Sequence, residues 1–254
     1  MTELTETARR ALACLDLTDL TEDCDPGAIR DLCARASTPF GPVAAICIWP
    51  RFVAQARQIL PSGGPKIATV VNFPGGDDEA SEVADLTEQA VEDGADEIDM
   101  VIPYRSFMEG REEVVFTRVQ RVKRAAGHGK TVKAILETGV LADRDLIRRA
   151  ADLAIEGGAD FIKTSTGKAR VNATLSAART MLEAIKEADR PVGLKPAGGV
   201  KTTADAANYL ELADEAMGEG WAKPDTFRIG ASSALDALIA TLKGEDAPTA
   251  ARGY

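Results

Sequence analysis

Histidine is all but missing from this chain: there is one, His128, in 254 residues. Histidine is the commonest transition-metal ligand and general base. Its scarcity removes the HExxH helix, the multi-histidine zinc site and the usual Ser-His-Asp triad. His128 lies in the loop Gly127-His128-Gly129-Lys130 and reads as a solvated residue, so no metal or other cofactor is expected. Cysteine is scarce too. Cys14, Cys24, Cys33 and Cys47 show no CxxC spacing, which implies neither a disulfide scaffold nor a zinc site and points to a reduced, cytoplasmic setting. No stretch approaches the ~20 apolar residues that span a bilayer. The first twenty residues alternate charged and apolar side chains and lack the apolar core of a signal peptide. A formal net charge of −10 repels nucleic acid and anionic membranes at a distance, so neither is an expected partner. A local phosphate site stays compatible, because close donors outweigh a screened distant field. Chemistry is left to lysines, carboxylates, hydroxyls, a cysteine or water.

What is present is apolar and regular. Hydrophobic residues make up 45% of the chain, and its length suits one domain, residues 1–254, that buries roughly 70–75% of its unfolded surface. Continuous apolar runs at 43–48, 67–73, 97–102, 131–136, 161–163, 192–195 and 226–230 read as strands buried on both faces. A short strand-like piece at Leu15–Leu17 precedes them. Helical spacing predicts helices over 5–15, 26–36, 51–60, 79–93, 106–126, 143–156, 175–188, 202–216 and 232–242, with Pro26 in the first turn of the second. Eight strands alternating with helices imply an α/β fold, a (β/α)8 TIM barrel. It carries an extra N-terminal helix and a tail, 244–254, expected to be mobile.

One stretch breaks the apolar pattern. In Phe161-Ile162-Lys163-Thr164-Ser165-Thr166-Gly167-Lys168 a lysine sits inside an apolar run, where an amine is costly unless paired or neutral. The turn after it has the groups of an anion cradle: hydroxyl donors, Gly167 and the cation Lys168. The motif G-A-D-x-I recurs at 94–98 and 158–162, and it puts Asp99 and Lys163 at matching ends of the fourth and sixth strands, with Lys195 at the matching place in the seventh. Barrel sites lie at the C-terminal strand ends. Three charges there point to a functional cluster, the alternative being a structural Asp–Lys ion pair.

Strands lie about 4.8 Å apart, so Lys163 and Lys195 approach closely. A neighbouring like charge is expected to lower the pKa of one amine and leave a nucleophile. Asp99 would then stabilise the other ammonium and relay protons. The turns Thr164–Gly167, Pro196–Val200 and Gly230–Ser233 converge as a phosphate site, and Ser232 or Ser233 caps the last helix. Lys133 and Glu137 share strand parity and form either an ion pair or outward packing with solvent tips. Cys47 ends the second strand, where it either packs inertly or faces the mouth.

The blocks DLTDL (16–20), AAICIWPRF (44–52), ATVVNFPGG (68–76), GADEIDMVIPY (94–104), KAILETG (133–139), GADFIKTSTGK (158–168), KPAGGVKT (195–202) and RIGASSAL (228–235) resemble the 2-deoxyribose-5-phosphate aldolase family over nearly the whole chain. The resemblance implies a metal-free class I aldolase that cleaves a phosphorylated sugar, 2-deoxy-D-ribose 5-phosphate, to D-glyceraldehyde 3-phosphate and acetaldehyde. Carried over by motif, Lys163 forms the imine, Lys195 perturbs it and Asp99 serves in proton transfer. Asp16, Thr18 and Lys168 border the sugar hydroxyls beside Thr166, with Cys47 at the mouth. Gly167, Gly198, Gly199, Gly230, Ser232 and Ser233 hold the phosphate. Lys201 stands where some relatives have arginine, and Trp49 where tyrosine is frequent; Lys201 would then contact the phosphate as a point charge. The terminal Tyr254 matches a tail that folds toward the site in relatives. Three alternatives stay open: another lysine-imine aldolase or transaldolase, a sugar-phosphate binder without turnover, and a metal-dependent aldolase, which the lone histidine disfavours. The sequence does not give the oligomeric state; a homodimer is the candidate assembly.

Overall fold

The computed structural model describes residues 3–245. Eight strands form one parallel sheet: β1 Leu15–Asp19, β2 Ala45–Ile48, β3 Lys66–Val71, β4 Glu97–Val101, β5 Thr131–Ile135, β6 Phe161–Lys163, β7 Gly193–Lys195 and β8 Ile229–Ala231. Their order is β8-β1-β2-β3-β4-β5-β6-β7. Two isolated bridges, Leu194 with Phe227 and Ala197 with Gly230, join β7 to β8 and bring the sheet round into a barrel. Strands buried on both faces need apolar side chains throughout, and β2 and β6 are buried at every position. Helices cover the outside. Arg144–Glu156 turns Ile147, Ala150, Ala151 and Ala154 inward, the i, i+3, i+4, i+7 stripe that a barrel wall requires.

Local signals set the helix starts. The Asp25 carboxylate accepts from the Ala28 amide at 2.8 Å, and Pro26 follows in the first turn. Thr202 and Asp205 make a reciprocal capping box ahead of Thr203–Met217. The extra N-terminal helix, Glu3–Ala13, packs on the last two helices and pins the first through Arg10 to Asp214 at 2.8 Å. Among the described residues no helix is long and apolar enough to cross a membrane.

The structure departs from the sequence reading at several elements, the short helix Thr138–Leu141 among them. The helix expected over 106–126 is two, Tyr104–Met108 and Glu113–Ala126, parted at Gly110 with φ 89°. A small antiparallel hairpin, Ser37–Thr38 with Gly41–Pro42, was not foreseen. The last strand begins at Ile229 rather than 226, because the Thr226 hydroxyl turns back to the carbonyls of Trp221 and Lys223. Ser233 occupies the N-cap of Ala234–Lys243 but its hydroxyl makes no capping bond, and Ser232 is not the cap. Of the expected tail, only Gly244 and Glu245 fall within the described residues; Tyr254 lies outside them.

Candidate active site

The barrel interior is filled with charge where an ordinary core would be apolar. Asp16 (β1), Glu97 and Asp99 (β4), Lys133 (β5), Lys163 (β6), Lys195 (β7) and Arg228, the residue before β8, are all at most 5% exposed. Asp99 is the hub. Its Oδ1 accepts from Lys133 Nζ at 2.8 Å, and its Oδ2 accepts from Lys163 Nζ at 2.8 Å and Lys195 Nζ at 2.7 Å. Lys195 also donates to Asp16 Oδ2 at 2.5 Å, and Lys133 to Glu97 Oε2 at 2.5 Å. Arg228 closes the far side, donating to Asp16 Oδ1 at 2.8 Å and to Glu97 Oε1 at 2.7 Å. Strand register brings these groups together: Asp99 faces Lys133 across β4–β5, and Lys163 faces Lys195 across β6–β7.

Burial alone would push both aspartates up. For Asp16 the cations Lys195, Arg228 and Lys133 reverse this, and for Asp99 the three lysines do, so both carboxyls are held well below the usual range. The same pairs work on the cations. Burial would lower Lys195, but Asp16 and Asp99 hold it above its ordinary value as an ammonium. Lys133 is raised likewise by Asp99 and Glu97 against burial. The Cys47 thiol, 4.0 Å from Asp99 Oδ2, is pushed up by burial and then by that carboxylate, which leaves it neutral packing beside the site.

Of the seven, Lys163 alone borders the cavity at the C-terminal strand ends. It lines a pocket of about 210 Å³ with Thr18, Leu20, Thr166, Gly167, Ala197–Lys201 and Gly230–Ser233. Three turns therefore meet around one amine. Thr164 ties two of them, its hydroxyl accepting from Ala197 N at 3.0 Å, and Lys168 Nζ reaches across to the Leu20 carbonyl at 2.8 Å. Two glycines are demanded by space. A Cβ at Gly198, whose φ is 81°, would lie 2.7 Å from Asn172 Cβ, and one at Gly230 would lie 2.8 Å from Ala197 Cβ. The last helix points its N-terminus at this corner with Ser232 and Ser233 exposed, an arrangement suited to an anion. Larger grooves of about 380 Å³ open outside helices Arg144–Glu156 and Leu175–Glu187 and at the opposite end of the barrel by Gly193. Neither sets a buried amine beside turns of this kind.

The pocket thus gathers Lys163, Thr18, Thr166, Gly167, Gly198, Gly199, Lys201, Gly230, Ser232 and Ser233 of the residues singled out in the sequence. Asp99 and Lys195 lie directly behind Lys163, Cys47 beside Asp99, and Lys168 at the rim. Asp16 lies deeper than the sequence implied: it is fully buried and engaged by Lys195 and Arg228. Two readings need correcting. Lys195 does not press on Lys163 unopposed, because Asp99 stands between the amines and Asp16 holds Lys195 as well. Lys133 and Glu137 do not pair. Lys133 turns inward to Glu97 and Asp99, while Glu137 sits past the strand end at φ 57° and accepts from the Thr166 hydroxyl at 2.5 Å. The sequence reading missed Arg228 and Glu97; each is a charge inside an apolar strand run, the same signal that marked Lys163.

The chain matches the profile described as DeoC/LacD family aldolase over residues 11–238. It is 54% identical over 250 residues to the deoxyribose-phosphate aldolase of Agrobacterium fabrum, covering 98% of this chain and 96% of that one. The fold is similar to the apo-form of a Toxoplasma gondii protein named as a deoxyribose-phosphate aldolase (TM-score 0.86, 29% identity, 95% and 98% of the two chains). It is also similar to the deoxyribose phosphate aldolase of Aeropyrum pernix, described as tetrameric (TM-score 0.73, 25% identity, 94% and 97%).

Proposed function

This chain belongs to the DeoC/LacD family of aldolases, and from that footing we propose that it cleaves 2-deoxy-D-ribose 5-phosphate reversibly to D-glyceraldehyde 3-phosphate and acetaldehyde through an imine on Lys163. The observation that carries the assignment is Lys163 itself, a lysine on the pocket side of a saturated ion-pair network with anion-binding turns alongside. The neutral amine adds to the C1 aldehyde of the open-chain sugar, and loss of water leaves a protonated imine. That iminium accepts the electron pair of the C2–C3 bond once a base removes the C3 hydroxyl proton, and glyceraldehyde 3-phosphate departs. The enamine takes a proton at C2, and water then releases acetaldehyde and the free lysine. Asp99 and Lys195, joined at 2.7 Å, are the proton-handling pair, working through water. Gly198, Gly199, Lys201, Gly230, Ser232 and Ser233 hold the phosphate; Thr18, Thr166 and Lys168 border the sugar hydroxyls; Asp16, buried behind them, holds Lys195.

Borohydride trapping with the substrate tests this. A reduced three-carbon-shorter or full-length substrate adduct on the Lys163 peptide, absent in Lys163→Arg, is expected; turnover surviving in that variant would overturn it. We further propose that residues 1–254 act as one domain, as a homodimer in the cytoplasm. Four unpaired buried thiols suit a reducing compartment, and the shallow apolar groove at Pro50, Leu86 and Ala90 suits a partner surface. Light scattering at a single-chain mass would remove the dimer.

A further inference from the structure

The seven interior charges have an order that the reaction scheme does not use. Taken as Asp99–Lys195–Asp16–Arg228–Glu97–Lys133 and back to Asp99, six of them form a closed ring in which carboxylates and cations alternate. Each link measures between 2.5 and 2.8 Å. Three negative and three positive charges cancel around it. Lys163 is the seventh member, attached only to Asp99, whose charge the ring has already matched with Lys133 and Lys195. A protonated Lys163 therefore leaves one positive charge over at the inner wall of the pocket, where the residue is only 3% exposed, and an unmatched charge with so little hydration is costly.

We propose that Arg228, held against Glu97, is a positioning residue that keeps Lys163 in its reactive amine form by completing the ring. The inference rests on Lys163 being the imine-forming lysine. Arg228 cannot act on a substrate directly. It is 5% exposed, is not part of the pocket wall, donates through Nε to the Pro224 carbonyl at 2.5 Å and lies over the Phe161 ring at 5.6 Å. Without its charge, Asp16 and Glu97 have a negative charge to spare, and the interior balances only with Lys163 protonated.

The other groups around Lys163 leave this count standing. From β4 it meets Asp99, and from β7 Lys195; Lys133 of β5 and Asp16 of β1 stand behind them. Cys47 of β2 is a thiol that burial keeps neutral. Glu137, beyond β5, has its carboxyl on Thr166; burial raises it above its ordinary value, against the opposing pull of Thr166 and of Lys163. Lys168 turns its amine to the Leu20 carbonyl.

The test compares Arg228→Met, Arg228→Lys and Glu97→Gln with the parent. For each, the rate of borohydride-trapped adduct formation on Lys163 with 2-deoxyribose 5-phosphate is measured against pH, with folding checked by circular dichroism. Arg228→Met should move the acid limb of that profile about one pH unit to the alkaline side, an about tenfold loss at a fixed pH on the limb. Glu97→Gln removes a negative charge, so its limb should move the opposite way, toward acid. Arg228→Lys keeps the charge and should stay near the parent. Loss of rate with unmoved limbs, or limbs that move in the same direction, would reduce Arg228 to a packing role and overturn the inference. Should Arg228→Met fail to fold, the acidward shift of Glu97→Gln decides alone. An adduct on Lys163 with unmoved limbs sinks this inference only, whereas no adduct in the parent sinks the assignment of Lys163 and this inference with it.

Discussion

Asp99→Asn is the substitution whose consequences the structure fixes most closely. Three lysines, Lys133, Lys163 and Lys195, donate to this one carboxylate at 2.7 to 2.8 Å, and none of the four residues is more than 3% exposed. The amide keeps the shape and removes the charge, leaving Asp16 and Glu97 as two carboxylates against the three cations Lys133, Lys195 and Arg228. Breaking a buried ion pair from one side costs about 3–5 kcal/mol. In a domain of this size 1 kcal/mol corresponds to roughly 2–4 °C, so the thermal midpoint should fall by roughly 6–20 °C at pH 6. The sign of the pH dependence follows from linkage. Ammonium groups facing a neutral amide bind their protons less tightly in the folded protein than in the unfolded chain. The deficit is therefore complete near pH 6, where the parent's Asp99 is still ionised, and shrinks as pH rises toward the ordinary lysine value near 10.4. The parent gains nothing over the same interval, because its lysines Lys133 and Lys195 are held above that value. Urea and thermal unfolding of both proteins at pH 6, 7.5 and 9.5 read the gap. A deficit under about 1 kcal/mol, or one that widens with pH, would refute the energetic reading of the network.

Three further outcomes are expected. A methyl at Gly193 would lie 2.2 Å from Phe161 Cε1, so Gly193→Ala should cost about 1–3 kcal/mol by overpacking; adding Phe161→Leu should recover part of it, and strictly additive losses would contradict the clash. Ser233 makes no capping bond, so Ser233→Ala should cost less than the ~1 kcal/mol of an ordinary cap while raising KM for the phosphorylated sugar and not for 2-deoxyribose. An equal effect on both sugars would remove Ser233 from the phosphate site. Asp16 and Asp99 are held below the usual carboxylate range. Their contribution is thus present above about pH 4 and lost as pH falls below it, and a urea midpoint that is flat from pH 7 down to pH 3 would be inconsistent with that.

Much of this was open to inspection in the residues themselves. A buried parallel strand tolerates almost no charge, so Asp99, Lys163 and Lys195 announce themselves by interrupting apolar runs, and the alternation of those runs with amphipathic helices yields the barrel. Partnership was not legible. Asp16 and Arg228 are 212 positions apart and meet only because β1 pairs with β8, so no local pattern tells that Asp16 turns down into the interior rather than up to the sugar. Lys133 and Glu137 illustrate the same limit: parity placed them on one face, but the left-handed backbone at Glu137 ends the strand before parity applies. The break at Gly110 is not legible in the sequence, because the apolar spacing on either side of it fits one continuous helix.

The interior charges also have a direction in time. Asp16, Glu97 and Asp99 come first along the chain; Lys133, Lys163, Lys195 and Arg228 come afterwards. A ribosome releasing roughly 5–20 residues per second delivers every acid before any base. The first four strands thus emerge as a trough with an acidic lining, and the last four bring the matching basic one. Neither half can dehydrate its lining alone, so the barrel is bound to close by the meeting of two oppositely charged halves, and the same event that completes the fold readies its amine.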